Sequence, residues 1–232
     1  MGKLDFQVIV PDQIWVQKVP LSFLGMEIGT RMTVVRVSLD KLFVHSPTRL
    51  DEATKLQFIP LGRVKYVVSP NNMHHFFIGD YFSPYPDAKI YASPGLDEKR
   101  RDLKFQYFLK DYPEPEWQEE IDQAIVWGHP QFKEVVFFHK KSRTLILADL
   151  LMNFDENIPI VTKVTAKMMG IYKKVSPPLD FTKDVIDLPQ ARLSIEKILK
   201  WDFDKIILAH GGLIEKNGKE IFRQAFSFVF EK

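Results

Sequence analysis

The sequence predicts an α/β protein with a sizeable buried core. The chain has 232 residues, of which 45% are hydrophobic, and this is enough for one α/β domain or at most two small ones. Short runs of β-branched and aromatic residues alternate with turn residues, and segments with helical spacing appear mainly in the second half. Proline-rich joints are only a few residues long, so we expect a single domain over residues 1–232.

Nine segments are predicted as strands because they are short, rich in β-branched or aromatic residues, and bounded by turn residues. They are Phe6–Val10, Ile14–Val19, Met32–Ser38, Lys41–His45, Val64–Ser69, Lys89–Ala92, Glu134–His139, Thr144–Leu147 and Lys205–Ala209.

Three segments are predicted as helices. The first, residues 48–56, begins with Thr48, a residue type that caps helix N-termini, and the second covers Gln190–Trp201. The third covers Lys219–Phe230, where apolar residues recur at helical spacing and should pack on a sheet. The stretch Pro159–Lys174 also has helical spacing.

Composition excludes several classes of protein. Lys and Arg number 32 against 30 Asp and Glu, and the net charge of +2 is dispersed, so we expect no nucleic-acid or membrane partner. The chain has no cysteine, which excludes disulfides, thiolate zinc sites, iron–sulfur clusters and cysteine nucleophiles. Since no leader or long apolar segment is visible, we expect a cytoplasmic protein. The oligomeric state is left open.

Histidines and one acid follow several predicted strands. His74 and His75 lie side by side after the strand that ends at Ser69, and Asp149 follows an apolar strand. His210 follows another and precedes two glycines, while His129 precedes a strand. A carboxylate in apolar sequence needs a partner or a metal, and functional groups collect at the carboxyl ends of strands in α/β sheets. These side chains are therefore candidates for one site.

The order of these motifs resembles the metallo-β-lactamase-fold superfamily over nearly the whole chain. The resemblance implies an αββα sandwich of two mixed β-sheets flanked by helices, with one or two metal ions at the sheet edge. The first motif of that superfamily, Thr-His-x-His-x-Asp-His, falls on Ser69–His75. The third-motif histidine matches His129, the bridging acid Asp149, and the terminal histidine His210.

This chain departs from the family pattern in the first motif. Pro70 and Asn72 replace its first two histidines, so the first metal site is predicted to be lost, and the segment resembles a divergent branch with a Pro-Asn-x-x-His-His signature. At every position of the family's second metal site, this chain has a side chain that can bind a metal. The resemblance therefore implies one divalent ion, Zn²⁺ or alternatively Fe²⁺, with the ligands His74, His75, Asp149 and His210.

The resemblance implies a metal-dependent hydrolase with a small-molecule substrate, in which the metal activates water for attack on an ester, thioester, lactone or phosphoester. His74 or His129 would protonate the leaving group, and with Asp149 these are the predicted catalytic residues. His74 has a second interpretation, as a group that supports the ligands, and His129 as a residue that orients its loop. Asn71 and Asn72 are predicted to contact substrate or to hydrogen-bond the turn.

Two other functions remain open from the sequence. One is a binding protein that has kept the fold and lost the reaction, and the other is an iron-bound, redox-linked protein. His45 and His139 match no ligand position and are interpreted as structural histidines.

Overall fold

A computed structural model describes residues 5–23, 25–154, 159–168 and 171–231, which form thirteen strands and six α-helices. The strands are β1 (Gln7–Val10), β2 (Ile14–Val19), β3 (Ser22–Phe23), β4 (Met26–Glu27), β5 (Thr30–Arg36), β6 (Lys41–His45), β7 (Arg63–Val68), β8 (Lys89–Ala92), β9 (Tyr107–Phe108), β10 (Ile121–Val126), β11 (Glu134–His139), β12 (Thr144–Ile146) and β13 (Lys205–Ile207). The helices are α1 (Glu52–Phe58), α2 (Leu96–Lys99), α3 (Ile160–Met168), α4 (Leu179–Lys183), α5 (Leu188–Leu199) and α6 (Gly218–Ala225), and short 3₁₀ turns cover Ile78–Tyr81 and Ser227–Val229.

The chain divides into two compact units. The first comprises Met1–Val19 and Thr30–Lys110, and the second comprises Pro20–Gly29 and Asp111–Lys232. The segment Pro20–Gly29, which carries β3 and β4, thus belongs with the second unit although the first unit surrounds it in sequence. The expectation of one domain over residues 1–232 stays a prediction.

The first unit is built on a seven-stranded mixed sheet in the order β1-β2-β5-β6-β7-β8-β9. Strands β1, β2, β5 and β6 pair antiparallel, whereas β6, β7, β8 and β9 run parallel. Strands β3 and β4 form a separate antiparallel pair. The carboxyl ends of parallel strands meet at one edge, and here Ser46, Ser69 and Ser93 follow β6, β7 and β8. The loop that carries His74 and His75 starts from the middle of these three strand ends.

Helix α1 and the 3₁₀ turn at Ile78–Tyr81 pack on one face of this sheet. Phe58 at the end of α1 and Tyr81 in the turn are both buried. They contact a continuous apolar cluster of Trp15, Met32, Val34, Leu42, Val44, Val64, Val67, Ile78 and Ile90.

The start of α1 differs from the prediction. The N-cap is Asp51, whose Oδ1 accepts a 2.8 Å hydrogen bond from the backbone N–H of Thr54. The predicted cap, Thr48, is fully buried and donates its hydroxyl to Oε1 of Gln17 at 2.5 Å. The capping prediction was wrong because the helix begins later than predicted, and Asp51, directly before it, accepts from the N–H group of Thr54 in the first turn.

The second unit contains a four-stranded mixed sheet in the order β10-β11-β12-β13. The first three strands pair antiparallel and β13 runs parallel to β12. Helices α5 and α6 pack on this sheet, as predicted for the apolar face of the last helix. The shared core includes Ala124, Val126, Val136, Phe138, Leu145, Leu147, Ala191, Ile195, Ile198, Ile206, Leu208, Phe222 and Phe226.

The predicted α/β architecture is confirmed, with two mixed sheets flanked by helices. Each predicted strand is present with ends within two residues, and the predicted helix over 190–201 occurs as α5. Among the described residues, β3, β4, β9 and β10 were not predicted. Strand β10 was missed because Asp122 and Gln123 interrupt its apolar pattern.

Among the described residues of Pro159–Lys174, the helix covers Ile160–Met168, and Met169 and Gly170 lie outside the described residues. No helix within the described part of the chain is long and apolar enough to span a membrane.

Candidate functional site

The loop after β7 holds His74 in a fixed orientation within the first unit. Its Nδ1 is hydrogen-bonded to Oγ of Ser46 at 2.5 Å, and Ser46 is buried directly after β6. Ser46 has a positive φ of 53°, which is uncommon for a residue other than glycine and often accompanies a functional constraint. A metal would therefore meet His74 at Nε2, with Ser46 orienting the ring through Nδ1.

The backbone of the loop is fixed by two side chains. Oδ1 of Asn71 accepts hydrogen bonds from the N–H groups of Met73 at 2.9 Å and His74 at 3.0 Å. The hydroxyl of Ser69 donates to the carbonyl oxygen of His74 at 2.7 Å. Asn71 is fully buried, so its carboxamide oxygen forms the turn, which is the second of the two roles expected for it.

His75 is paired with an arginine rather than placed for a metal. Nη1 of Arg100 donates to Nδ1 of His75 at 3.2 Å and to its carbonyl oxygen at 2.9 Å. Because a guanidinium can only donate, Nδ1 is the acceptor and the neutral ring carries its proton on Nε2. Burial, together with the positive charges of Lys99 and Arg100, lowers the pKa of His75 to about 4. This arrangement argues against His75 as a ligand.

Lys99 lies over the same loop. Its Nζ donates to the carbonyl oxygen of Asn72 at 2.8 Å, and Asn72 is only partly buried. Asn72 is thus better exposed for a substrate contact than Asn71.

In the second unit, a buried glutamate fixes the turn that carries Asp149. Glu134 is fully buried at the start of β11. Its Oε1 accepts from the N–H of Ala148 at 2.7 Å, and its Oε2 accepts from Asp149 at 2.7 Å and Leu150 at 3.0 Å. Glu134 was not among the site residues predicted from the sequence. The signal that could have identified it is an acidic residue at the start of a strand that is otherwise apolar.

Asp149 and His210 form a carboxylate–imidazole pair. Oδ1 of Asp149 lies 3.0 Å from Nε2 of His210, and both residues are buried. Nδ1 of His210 donates to the carbonyl oxygen of Gly29 at 2.5 Å. Since that carbonyl can only accept, the Nδ1 proton is fixed and Nε2 is the nitrogen that faces Asp149.

The charge state of His210 follows from its partners. Burial lowers its pKa, but the hydrogen bond and charge of Asp149, the carbonyl of Gly29 and the charge of Glu134 together raise it above the ordinary value. Without a metal, the imidazole is therefore stabilised as a cation beside the carboxylate.

The two glycines after His210 allow a close backbone approach. Gly211 has a φ of 84°, and a Cβ at this position would overlap the carbonyl oxygen of Asn153. The N–H of Gly212 donates to the same carbonyl at 2.8 Å. Only a residue without a side chain fits at Gly211, and the two glycines after His210 in the sequence are explained by this close approach.

His129 orients its own loop. Its Nδ1 accepts from the N–H of Gln131 at 3.2 Å and of Phe132 at 2.8 Å, and its ring stacks on Phe181 with centroids 5.7 Å apart. The proton is therefore on Nε2, an atom that is buried without a hydrogen-bond partner among the described residues. Of the roles expected for His129, this arrangement favours loop orientation.

The two histidines interpreted as structural lie at strand ends. His45 ends β6 and is fully buried, and Nδ1 of His139, at the end of β11, is hydrogen-bonded to Oγ of Ser142 at 2.7 Å. Burial lowers the pKa of His139 to about 4, and Lys141 adds to this shift.

Solved structures with a similar fold are metallo-β-lactamases. The enzyme from Pontibacter korlensis has a TM-score of 0.66 at 13% identity and covers 99% of this chain and 100% of its own. The enzyme from Erythrobacter litoralis has a TM-score of 0.69 at 11% identity and coverages of 100% and 98%. FIM-1 from Pseudomonas aeruginosa, in its mono-zinc form, has a TM-score of 0.65 at 12% identity and coverages of 99% and 96%. The fold is therefore that of the metallo-β-lactamases, as the sequence resemblance predicted.

Sequence comparison assigns the family. No curated protein sequence matches this chain. A family model described as a domain of unknown function, DUF4336, matches residues 11–192, which is more than half of the chain. The chain belongs to the DUF4336 family.

Proposed function

We propose that this protein is a hydrolase that uses one divalent metal ion. The observation that carries the proposal is the pair of Asp149 and His210, buried and 3.0 Å apart at Oδ1 and Nε2. The fold supports it, because the similar solved structures are metallo-β-lactamases and one of them is a mono-zinc form.

The proposed ligands are His74, Asp149 and His210, each of which offers one suitable donor atom. The set is smaller than the one expected from the sequence, because Nδ1 of His75 faces the guanidinium of Arg100 at 3.2 Å. Two imidazoles and one carboxylate suit Zn²⁺ at a catalytic site with an open position, and they equally suit non-haem Fe²⁺.

The tautomers of the proposed ligands fit metal binding. A ligating imidazole needs the lone pair of one nitrogen and usually donates the other N–H to a protein acceptor. His210 donates from Nδ1 to the Gly29 carbonyl, and Nδ1 of His74 is engaged by Ser46. Both rings would therefore bind through Nε2.

Glu134 supports the carboxylate ligand. Glu134 accepts hydrogen bonds from three successive N–H groups around Asp149 and so fixes the backbone of this turn. Both of its carboxylate oxygens are engaged in these bonds. Glu134 is thus a positioning residue, and Asp149 is the carboxylate offered to the metal.

A metal bound with an open coordination position lowers the pKa of its water and polarises a carbonyl or phosphoryl oxygen. The chain itself contributes oriented ligands and, at Asn72, a partly exposed amide beside His74 that is a candidate substrate contact. The proposed substrates remain an ester, thioester, lactone or phosphoester.

Metal analysis tests the proposed site. Wild-type protein purified without added metal should carry about one zinc or iron per chain by inductively coupled plasma mass spectrometry. His74→Ala, Asp149→Ala and His210→Ala should each lose it, while His75→Gln and the control His139→Gln should keep it. Metal retained in full by Asp149→Ala and His210→Ala would contradict the proposal. Metal lost by these two variants but kept by His74→Ala would show that His74 is not a ligand.

Activity is tested separately. A panel of chromogenic esters, thioesters, lactones and phosphodiesters should reveal turnover that metal chelation abolishes. The turnover rate of Asp149→Ala should be at least 100-fold lower than that of wild type. Turnover unchanged in this variant would reject the site.

A second candidate function is a metal-free binding protein that keeps the fold. The observation favouring it is that Asp149 and His210 satisfy each other directly at 3.0 Å. In that case added Zn²⁺, Fe²⁺ or Mn²⁺ leaves the melting temperature of wild type unchanged, whereas a metal enzyme gains stability as the ion binds. The iron-bound, redox-linked alternative shares the same ligands and would be recognised by iron as the resident metal.

A further inference from the structure

Helix α3 in the second unit is oriented with its larger apolar residues outward. Ile160, Val161 and Val164 are 77%, 58% and 53% exposed. The small residues Thr162 and Ala166 are instead buried, each 1% exposed. A helix in a globular protein normally buries its β-branched aliphatic residues, so this outward face, called the α3 face below, needs another explanation.

The inward side of α3 is held by specific contacts, which fixes the orientation. Oγ1 of Thr162 accepts a 3.0 Å hydrogen bond from the N–H of Glu27 in β4. Ala166 packs in a small apolar cluster with Phe154 and Ile171. Rotating α3 to bury the α3 face would break these contacts.

Lysines line one edge of the α3 face. At 100° per residue, Lys163 and Lys167 lie on the side of α3 next to Ile160. Their Nζ atoms lie 5.4 and 5.3 Å from the ring centroid of Tyr172, and Nζ of Lys173 lies 5.9 Å from it. Three ammonium groups thus gather around one ring.

Helix α3 and the described residues 171–174 contain no acidic residue, and Glu27 of β4 is the acidic residue whose backbone contacts α3 at Thr162. Helix α3 reads IVTKVTAKM, and residues 171–174 read Ile-Tyr-Lys-Lys. The expectation of no membrane partner rested on the dispersed charge of the whole chain, whereas here the positive charge is local.

We propose that the α3 face docks on the surface of an anionic phospholipid bilayer. An interfacial helix places its apolar side chains among the acyl chains near the headgroups while flanking lysines contact lipid phosphates, and each lysine near an anionic surface adds to the attraction. The α3 face meets both requirements. A second copy of the chain fits less well, because a two-fold contact places the same patch, with its lysine edge, against itself.

Vesicle binding tests the proposal. The full chain should float with vesicles of phosphatidylglycerol and phosphatidylcholine in equal amounts but not with phosphatidylcholine alone, and raised salt should weaken the binding. Lys163→Ala/Lys167→Ala/Lys173→Ala should weaken it about 100-fold, and Ile160→Ser/Val164→Ser at least 10-fold.

Matched controls separate local from general effects. Lys18→Ala/Lys104→Ala/Lys216→Ala removes the same charge from exposed sites elsewhere, and Leu193→Ser removes an exposed apolar side chain from α5. Both controls should bind like wild type.

Three results would overturn the proposal. The first is a wild-type protein that does not bind anionic vesicles. The second is a lysine control that weakens binding as much as the α3 lysine variant. The third is a concentration-dependent dimer in sedimentation equilibrium that Ile160→Ser/Val164→Ser dissociates, with no vesicle binding, since a second copy then covers the α3 face.

Discussion

Replacing Glu134 by glutamine tests how the turn at Asp149 is held. The carboxylate accepts from three backbone N–H groups with distances of 2.7, 2.7 and 3.0 Å and is fully buried. Glutamine keeps the shape of the side chain but replaces one carboxylate oxygen by an NH₂ group. This group cannot accept a hydrogen bond, and it would face the backbone N–H donors. At least one buried N–H then loses its partner.

The expected cost is large relative to the stability of a domain. A hydrogen bond to a charged group contributes about 1.5–3 kcal/mol, and an unsatisfied buried donor costs about 1–3 kcal/mol. We therefore expect Glu134→Gln to lower the free energy of unfolding by about 3–5 kcal/mol, from a total of about 5–15 kcal/mol for a typical protein.

Urea denaturation followed by circular dichroism measures this change as a shift of the midpoint at constant slope. Glu220→Gln is the matched control, because its carboxylate is exposed in α6 and pairs with Arg223 on the surface. It should change stability by less than about 0.5 kcal/mol. A Glu134→Gln effect below about 1 kcal/mol would refute the role given to Glu134.

Three further predictions follow from local geometry. Ser46→Ala removes the hydrogen bond to His74 and should lower zinc affinity about 10–100-fold in a chelator competition, with the fold kept; an unchanged affinity would contradict this. Gly211→Ala should destabilise the protein by more than about 3 kcal/mol in urea, because its Cβ would overlap a backbone carbonyl, whereas Gly25→Ala, also at positive φ but in open space, should cost about 1 kcal/mol. Burial holds the pKa of His139 at about 4, so the unfolded chain binds the extra proton first and stability should fall as pH drops from about 6.5 to 4. His139→Gln should remove that part of the pH dependence of stability. A variant with the same stability profile against pH as wild type would contradict the prediction.

Sequence patterns predicted most of the sheet because strand positions depend on local apolar runs. They failed where buried polar residues are satisfied by distant partners. Gln123 reads as polar, yet it is buried in β10 and its Oε1 accepts from Nε1 of Trp117 at 3.0 Å. Asp122 is paired with Lys140 at 3.2 Å. Neither pairing could be inferred from residue type alone.

The site was predicted in outline for a similar reason. Asp149 and His210 were found because each follows an apolar strand, and their 3.0 Å contact supports that choice. His75 is hydrogen-bonded to Arg100, 25 residues away, and His210 to Gly29, 181 residues away. Neither hydrogen bond could be predicted from the sequence. The partner of His75 argues against that ring as a ligand, and the partner of His210 leaves Nε2 as the nitrogen that could bind a metal.

Chain length and spacing also could not indicate the orientation of α3. Its alternation of aliphatic residues and lysines fits a helix, but the side that is buried is set by Glu27, which lies 135 residues earlier than Thr162. The outward aliphatic residues became visible only in the folded chain.

The most direct test of the proposed metal site is a crystal structure of the chain grown with zinc, with an anomalous difference map recorded at the zinc edge. The proposed site requires one peak about 2.0–2.1 Å from Nε2 of His210 and Nε2 of His74, with a carboxylate oxygen of Asp149 at a similar distance. A map without a peak beside Asp149 and His210, or with zinc on Nδ1 of His210, would contradict it.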